Sequence, residues 1–245
     1  DGKQDIVYTT FSSSNFHLML GNGSGTFTPS GSFSTASGPF GITSGDLNND
    51  GKMDVVTADT LNHTVSVFHG NGSGSFTLIG SFAAGTAPRS VKIGDLNGDG
   101  FKDIVVTNAS LNKISVLISS GGTSFAAPVQ YSVGTAPIDL VIFDKDGDGD
   151  NDVAVANYTG SSVSRFTNPG TGILGTAATT SIAASKLCAI DAGDFDGDGD
   201  IDVVVNGSLG IGRLYNTSGN LFNTNYLPSP NPSGGRDIKL LDANN

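Results

Sequence analysis

Glutamate and tryptophan are absent from this 245-residue chain, cysteine occurs once, and only 9 residues are proline. All 23 acids are aspartate, set against 12 Lys plus Arg, for a formal charge of -11. The single Cys188 excludes an internal disulfide framework, and a chain of this length can bury a core without one. The negative charge argues against sequence-independent binding to nucleic acid or to anionic membranes. No apolar run approaches the ~20 residues of a membrane span, so direct membrane insertion is not expected. Missing Glu removes a strong helix former. With 35 Gly and abundant Thr, Ser and Val, the composition points to an all-β protein.

What is present is a repeat. Gly45 to Asp54 reads GDLNNDGKMD, and Gly94 to Asp103 reads GDLNGDGFKD. Phe143 to Asp152 reads FDKDGDGDND, and Gly193 to Asp202 reads GDFDGDGDID. Their first aspartates, Asp46, Asp95, Asp144 and Asp194, are spaced 49, 49 and 50 residues apart. The two chain ends supply halves of a fifth copy. Leu241-Asp242-Ala243-Asn244-Asn245 joined to Asp1-Gly2-Lys3-Gln4-Asp5 spells LDANNDGKQD, in phase with the rest.

Around each copy the pattern is one of short strands. An alternating strand precedes it (Val91-Lys92-Ile93, Leu140-Val141-Ile142, Ile238-Lys239-Leu240), and a β-rich run such as Ile104-Val105-Val106-Thr107 follows. A third strand comes next (Thr64 to Phe68, Lys113 to Leu117), then a Gly-rich hairpin such as Gly70-Asn71-Gly72-Ser73-Gly74, then a fourth strand such as Pro128 to Ser132. Four strands per repeat, five times, predicts a β-propeller of five four-stranded blades, with one repeat split across the termini. Residues 1–245 read as a single domain with no linker.

The repeated motif is D-x-[D/N]-x-D-G-x-x-D. Oxygen ligands at positions 1, 3 and 5 converge when the chain curls round a cation, Gly at position 6 permits the turn, and position 7 offers a carbonyl. Hard oxygen ligands without His or Cys select Ca²⁺ over zinc. An EF-hand is excluded, because the chain has no Glu and Thr57 stands at position 12 of the first complete copy. The expected ligand sets are Asp46, Asn48, Asp50 and Asp54 with the Lys52 carbonyl, and Asp95, Asn97, Asp99 and Asp103 with that of Phe101. Two further sets are Asp144, Asp146, Asp148 and Asp152 with the Asp150 carbonyl, and Asp194, Asp196, Asp198 and Asp202 with that of Asp200. The split site would use Asp242, Asn244, Asp1 and Asp5 with the Lys3 carbonyl. Five divalent ions would bring the formal charge from -11 to -1. Without them, carboxylates crowded in each loop repel one another.

These loops, with Gly85-Thr86-Ala87-Pro88, Gly134-Thr135-Ala136-Pro137 and the GNGSG-F hairpins, resemble the FG-GAP/VCBS repeats. The resemblance covers essentially the whole chain. Such repeats build the integrin α-subunit propeller and some fungal and bacterial propeller lectins. It implies a calcium-binding propeller in an extracellular setting, secreted or at the cell surface. Family propellers are often seven-bladed, so five repeats is a departure.

Function is not fixed by fold. The first expectation is a non-catalytic binding or adhesion module for a glycan or a cell-surface protein, acting as a monomer. A second is a building block of a surface layer or filament, joined head to tail through the split repeat. A third is an accessory domain of a larger secreted enzyme. No nucleophile elbow, phosphate loop or zinc motif occurs. His17, His63 and His69 read as structural, and Cys188 in Leu187-Cys188-Ala189-Ile190 as a small buried hydrophobe. Of seven N-x-S/T sequons, those at Asn108, Asn157 and Asn206 recur at the repeat spacing and suggest turns. Arg89 and Arg236 sit six residues before their Asp motifs, where Phe40, Ile138 and Cys188 stand in the other repeats. They read as solvated rim charges.

Overall fold

The structure, a computed structural model, describes residues 2–217, 220–228 and 237–241. It divides into two compact units. One holds the described residues of Asp1–Ile93 with Gly100–Val106 and Ser115–Val129. The other holds Gly94–Asp99, Thr107–Ile114 and the described residues of Gln130–Asn245.

In the first unit, β1 (Ile6–Thr10), β2 (Asn15–Gly21) and β3 (Phe27–Ser34) form a three-stranded antiparallel sheet. Next, β4 (Pro39–Gly45), β5 (Asp54–Asp59), β6 (Thr64–Gly70) and β7 (Phe76–Ala83) form a four-stranded meander. The third sheet contributes residues to both units. It orders β8 (Pro88–Gly94), β9 (Asp103–Asn108), β10 (Lys113–Leu117) and β13 (Val129–Ser132). Between its last two strands, β11 (Ser119–Ser120) and β12 (Ser124–Phe125) close a small ladder of their own. The second unit adds two meanders. One is β14 (Pro137–Phe143), β15 (Asp152–Asn157), β16 (Ser162–Phe166) and β17 (Ala178–Ser181). The other is β18 (Ala189–Gly193), β19 (Asp202–Gly207), β20 (Gly210–Thr217) and β21 (Asn220–Pro228). No α-helix occurs among the described residues.

Burial explains the composition of each strand. β5, β9 and β15 are buried at every position, so they read as near-continuous Val, Ile and Ala. β3 and β7 bury no residue fully and mix half-buried with exposed positions, as outer strands open to solvent do. Val56, Val65, Val67, Val91, Ile104 and Val106 anchor the core of the first unit. A cluster around Phe16 adds edge contacts to Phe68 and Phe76 and a stacked Phe33. The second unit packs Val163, Leu187, Ile190, Val203, Val205 and Leu214.

Several sequence readings shift. Ile238-Lys239-Leu240, expected as a strand, joins no ladder. The Leu240 amide instead donates to Asp191 Oδ2 at 2.8 Å, and Lys239 Nζ pairs with Asp191 Oδ1 at 3.2 Å. Asn108 and Asn157 are not turn residues but the buried last residues of β9 and β15. Asn157 Nδ2 donates to Ser162 Oγ and Ser164 Oγ, closing its hairpin from inside. Arg89 is not simply solvated, since its guanidinium lies over the Phe40 ring at 4.4 Å. Cys188 is half-buried just before β18, with its thiol donating to the Lys186 carbonyl. Arg236 lies outside the described residues.

Candidate metal centre

Each complete Asp motif forms the turn between the first two strands of its sheet. The glycines at position 6, Gly51, Gly100, Gly149 and Gly199, have φ of +78°, +87°, +90° and +94°. Side chains with a Cβ are strained in that region, which is why the position is invariably Gly. The aspartate at position 1 folds the loop onto itself. Asp144 accepts the amides of Gly147 and Gly149 at 2.8 and 3.0 Å, and Asp194 those of Gly197 and Gly199 at 2.7 and 3.0 Å. Asp46 likewise accepts from Asp50 and Gly51, and Asp95 from Asn97 and Gly98.

Carboxylate oxygens of Asp144, Asp146 and Asp152 all lie within 4.8 Å of one another, as do those of Asp194, Asp196 and Asp202. Three converging acid oxygens suit a hard divalent cation, and the oxygen-only donor set suits Ca²⁺. In these two loops the structure thus brings together positions 1, 3 and 9. Position 5 (Asp148, Asp198) instead accepts the amide of position 7, at 2.9 Å in each case. In the first loop, Asp50 does the same for Lys52 at 2.9 Å and also pairs with Lys52 Nζ. In the second, Asn97 Nδ2 donates to Asp99 Oδ2 at 3.0 Å. Lys3 and Asp5 are described, whereas Asp1, Asp242 and Asn244 of the split site lie outside the described residues.

The aspartate at position 9 has a second role that the motif alone does not reveal. Asp54, Asp103, Asp152 and Asp202 are fully buried or nearly so. One oxygen accepts the amide of position 2, as from Leu47 to Asp54, Lys145 to Asp152 and Phe195 to Asp202. The other accepts an amide at, or within two residues of, the end of the repeat's third strand. The donors are Gly21 to Asp5, Gly70 to Asp54, Ser119 to Asp103, Asn168 to Asp152 and Asn216 to Asp202, all at 2.7–2.9 Å. The spacing from acceptor to donor is 16 residues in the first four pairs and 14 in the last. The interval of 16 residues, shared by four of the five pairs, is the one regularity that relates these donors in the sequence. Burial pushes Asp152 and Asp202 above the ordinary carboxylate pKa, against the pull of the donated amides.

The profile of the FG-GAP-like repeat matches four times, over residues 1–57, 46–106, 95–155 and 144–205. The chain belongs to the FG-GAP-like repeat family. No curated protein matches it by sequence. Among solved structures, this FG-GAP-like chain is similar to β-propeller proteins. One is a candidate 6-phosphogluconolactonase from Bacteroides uniformis (TM-score 0.71, 17% identity, 93% of this chain and 67% of that one). Another is an Agrocybe aegerita lectin that recognises non-reducing terminal N-acetylglucosamine (TM-score 0.60, 18% identity, 94% and 67%). A third is virginiamycin B lyase from Staphylococcus aureus (TM-score 0.62, 16% identity, 91% and 66%). At such identities the likeness concerns fold alone.

Proposed function

We propose that this FG-GAP-like chain is an extracellular, calcium-stabilised five-bladed propeller that acts as a non-catalytic binding module, with a glycan as ligand. Five ions fill the four complete loops and the loop shared by the chain ends. The family match supports the calcium assignment, together with carboxylates converging in two loops. Weak calcium sites fill at extracellular calcium levels, which suits the proposed setting.

The observation that carries the binding reading is a bulge at the entrance to β4 and to β14. Pairing skips one residue between Pro39 and Gly41 in β4 and between Pro137 and Asp139 in β14. The skipped residues are Phe40 and Ile138, and the repeat spacing puts Arg89 at the same position. Bulges re-aim a side chain out of the ladder. Phe40 is 48% exposed. The same backbone device thus recurs in two repeats with different residues: Phe40 stands exposed, with the Arg89 guanidinium over its ring, whereas Ile138 packs against the core. The structural likeness to a lectin is consistent with the binding reading.

A glycan array probed with the purified chain in millimolar calcium tests the reading. Binding to a defined sugar class is expected, lost on chelation and weakened by Phe40→Ala or Arg89→Ala. A blank array from folded, calcium-loaded protein would shift the reading to a protein partner.

A further inference from the structure

Hydrogen-bonded relays join neighbouring Asp loops: one runs from carboxylate to carboxylate, and a second from a carboxylate to a backbone carbonyl of the loop before. The first relay starts at Asp152 in the third loop. Its Oδ2 accepts the Lys145 amide at 3.0 Å. The carbonyl of that same Lys145 accepts Nδ2 of Asn216 at 2.5 Å. The Asn216 amide then donates to Asp202 Oδ1, in the fourth loop, at 2.7 Å. Asn216 Nδ2 also donates to the Ile201 carbonyl at 3.1 Å, tying it to the residue before Asp202.

Asn168 repeats the device one loop earlier. Its Nδ2 donates to the Leu96 carbonyl of the second loop at 2.7 Å and to the Asn151 carbonyl of the third at 2.8 Å. Its amide donates to Asp152 Oδ1 at 2.7 Å. Asn151 Nδ2 adds a bond to the Asp95 carbonyl at 2.8 Å. Both bridging asparagines are buried, so these bonds do not exchange freely with water.

The equivalent residues in the first three repeats are Gly21, Gly70 and Ser119. Gly21 and Gly70 have no side chain to bridge with. A Cβ there would collide with the Gln4 and Met53 carbonyls, the same position-8 carbonyls that Asn168 and Asn216 bond in their own repeats. The backbone half of the arrangement is therefore common to the repeats, and the side-chain bridge is particular to Asn168 and Asn216.

The geometry points to Asn168 and Asn216 as coupling residues that make calcium binding at the second, third and fourth loops cooperative. A cation drawing on Asp152 fixes the Lys145 peptide, and that peptide orients Asn216 and through it Asp202. Ordering one loop therefore lowers the cost of ordering the next. The inference rests on the calcium reading of the loops.

The test uses the full chain labelled with ¹⁵N, titrated with calcium alone. The amides of Gly147 and Gly149 report the third loop and those of Gly197 and Gly199 the fourth. Asp144→Ala, which disables the third loop, is expected to weaken calcium binding at the fourth by ~5-fold or more. In an Asn216→Ser background, which imports the residue that repeat three uses, that effect disappears. Asn168→Ser serves as the second variant, reducing the coupling between the second and third loops while leaving that between the third and fourth. A uniform weakening of all loops, or a fourth loop indifferent to Asp144→Ala, overturns the coupling while leaving the calcium sites standing. No calcium response at any loop glycine overturns the calcium reading itself, and the coupling with it.

Discussion

Removing calcium is expected to abolish most of the stability of this chain. An ion at one hundred times its dissociation constant stabilises the folded state by about 2.7 kcal/mol per site. Four or five such loops together would supply roughly 11–14 kcal/mol, comparable to the whole unfolding free energy of an ordinary domain. The loops without metal also hold close carboxylates, Asp144 with Asp146 and Asp152, and Asp194 with Asp196 and Asp202. Their mutual repulsion is then uncompensated. Differential scanning calorimetry in millimolar calcium and in excess chelator should show a midpoint lower by tens of degrees without calcium, or no cooperative transition at all. Magnesium should restore little, because it prefers a smaller, more rigid shell that keeps several waters. Equal midpoints with and without calcium would mean that hydrophobic packing alone holds the sheets.

The second large effect comes from Asp59, the last residue of β5. Its carboxyl is fully buried and accepts hydroxyls from Thr57 at 2.9 Å, Ser66 at 2.6 Å and Thr64 at 3.4 Å. Burial outweighs those hydrogen bonds and pushes its pKa from 3.8 to about 6. The sign follows from linkage. Below pH 4 the group is protonated both folded and unfolded. Between pH 4 and 6 the folded state holds the proton that the unfolded state releases, so stability falls as pH rises. Above pH 6 the carboxylate is ionised in both states and the full penalty of about 3 kcal/mol applies.

Asp59→Asn removes that titration. The site accepts the change, because β15 carries Asn157 at this position and its amide bonds Ser162 and Ser164. Urea unfolding of both proteins at saturating calcium, from pH 4 to 8, isolates the effect. The variant should gain up to about 3 kcal/mol over the parent as pH rises from 4 to 6, and no more beyond. A difference that stays constant across that range would show that Asp59 titrates as it does in the unfolded chain.

Sequence and structure agree best where chemistry is local. The Asp loops are legible because the oxygen-bearing residues at positions 1, 3, 5 and 9 lie on one short turn, and the position-6 glycines adopt the positive φ that the motif demands. The strands around them were legible because turn residues recur at the repeat spacing. Contacts between residues distant in sequence were harder to read. The amides that Gly70, Ser119, Asn168 and Asn216 give to the position-9 aspartates come from the far end of a hairpin. Their residue types differ because only the backbone is used, so no conserved letter marks them. The bulges at Phe40 and Ile138 leave no compositional trace either. Asp59 looked like one more acid. Only its pairing with Thr57, where Val106 and Val155 stand in the next repeats, shows that its surroundings supply a hydroxyl donor for a carboxylate.

Native mass spectrometry of the whole chain, sprayed from millimolar calcium and again after chelation, tests the central claim most directly. The account predicts a monomer carrying five specifically bound calcium ions, lost together with the compact charge distribution when chelator is added. A compact monomer that binds no calcium above the non-specific background would contradict it.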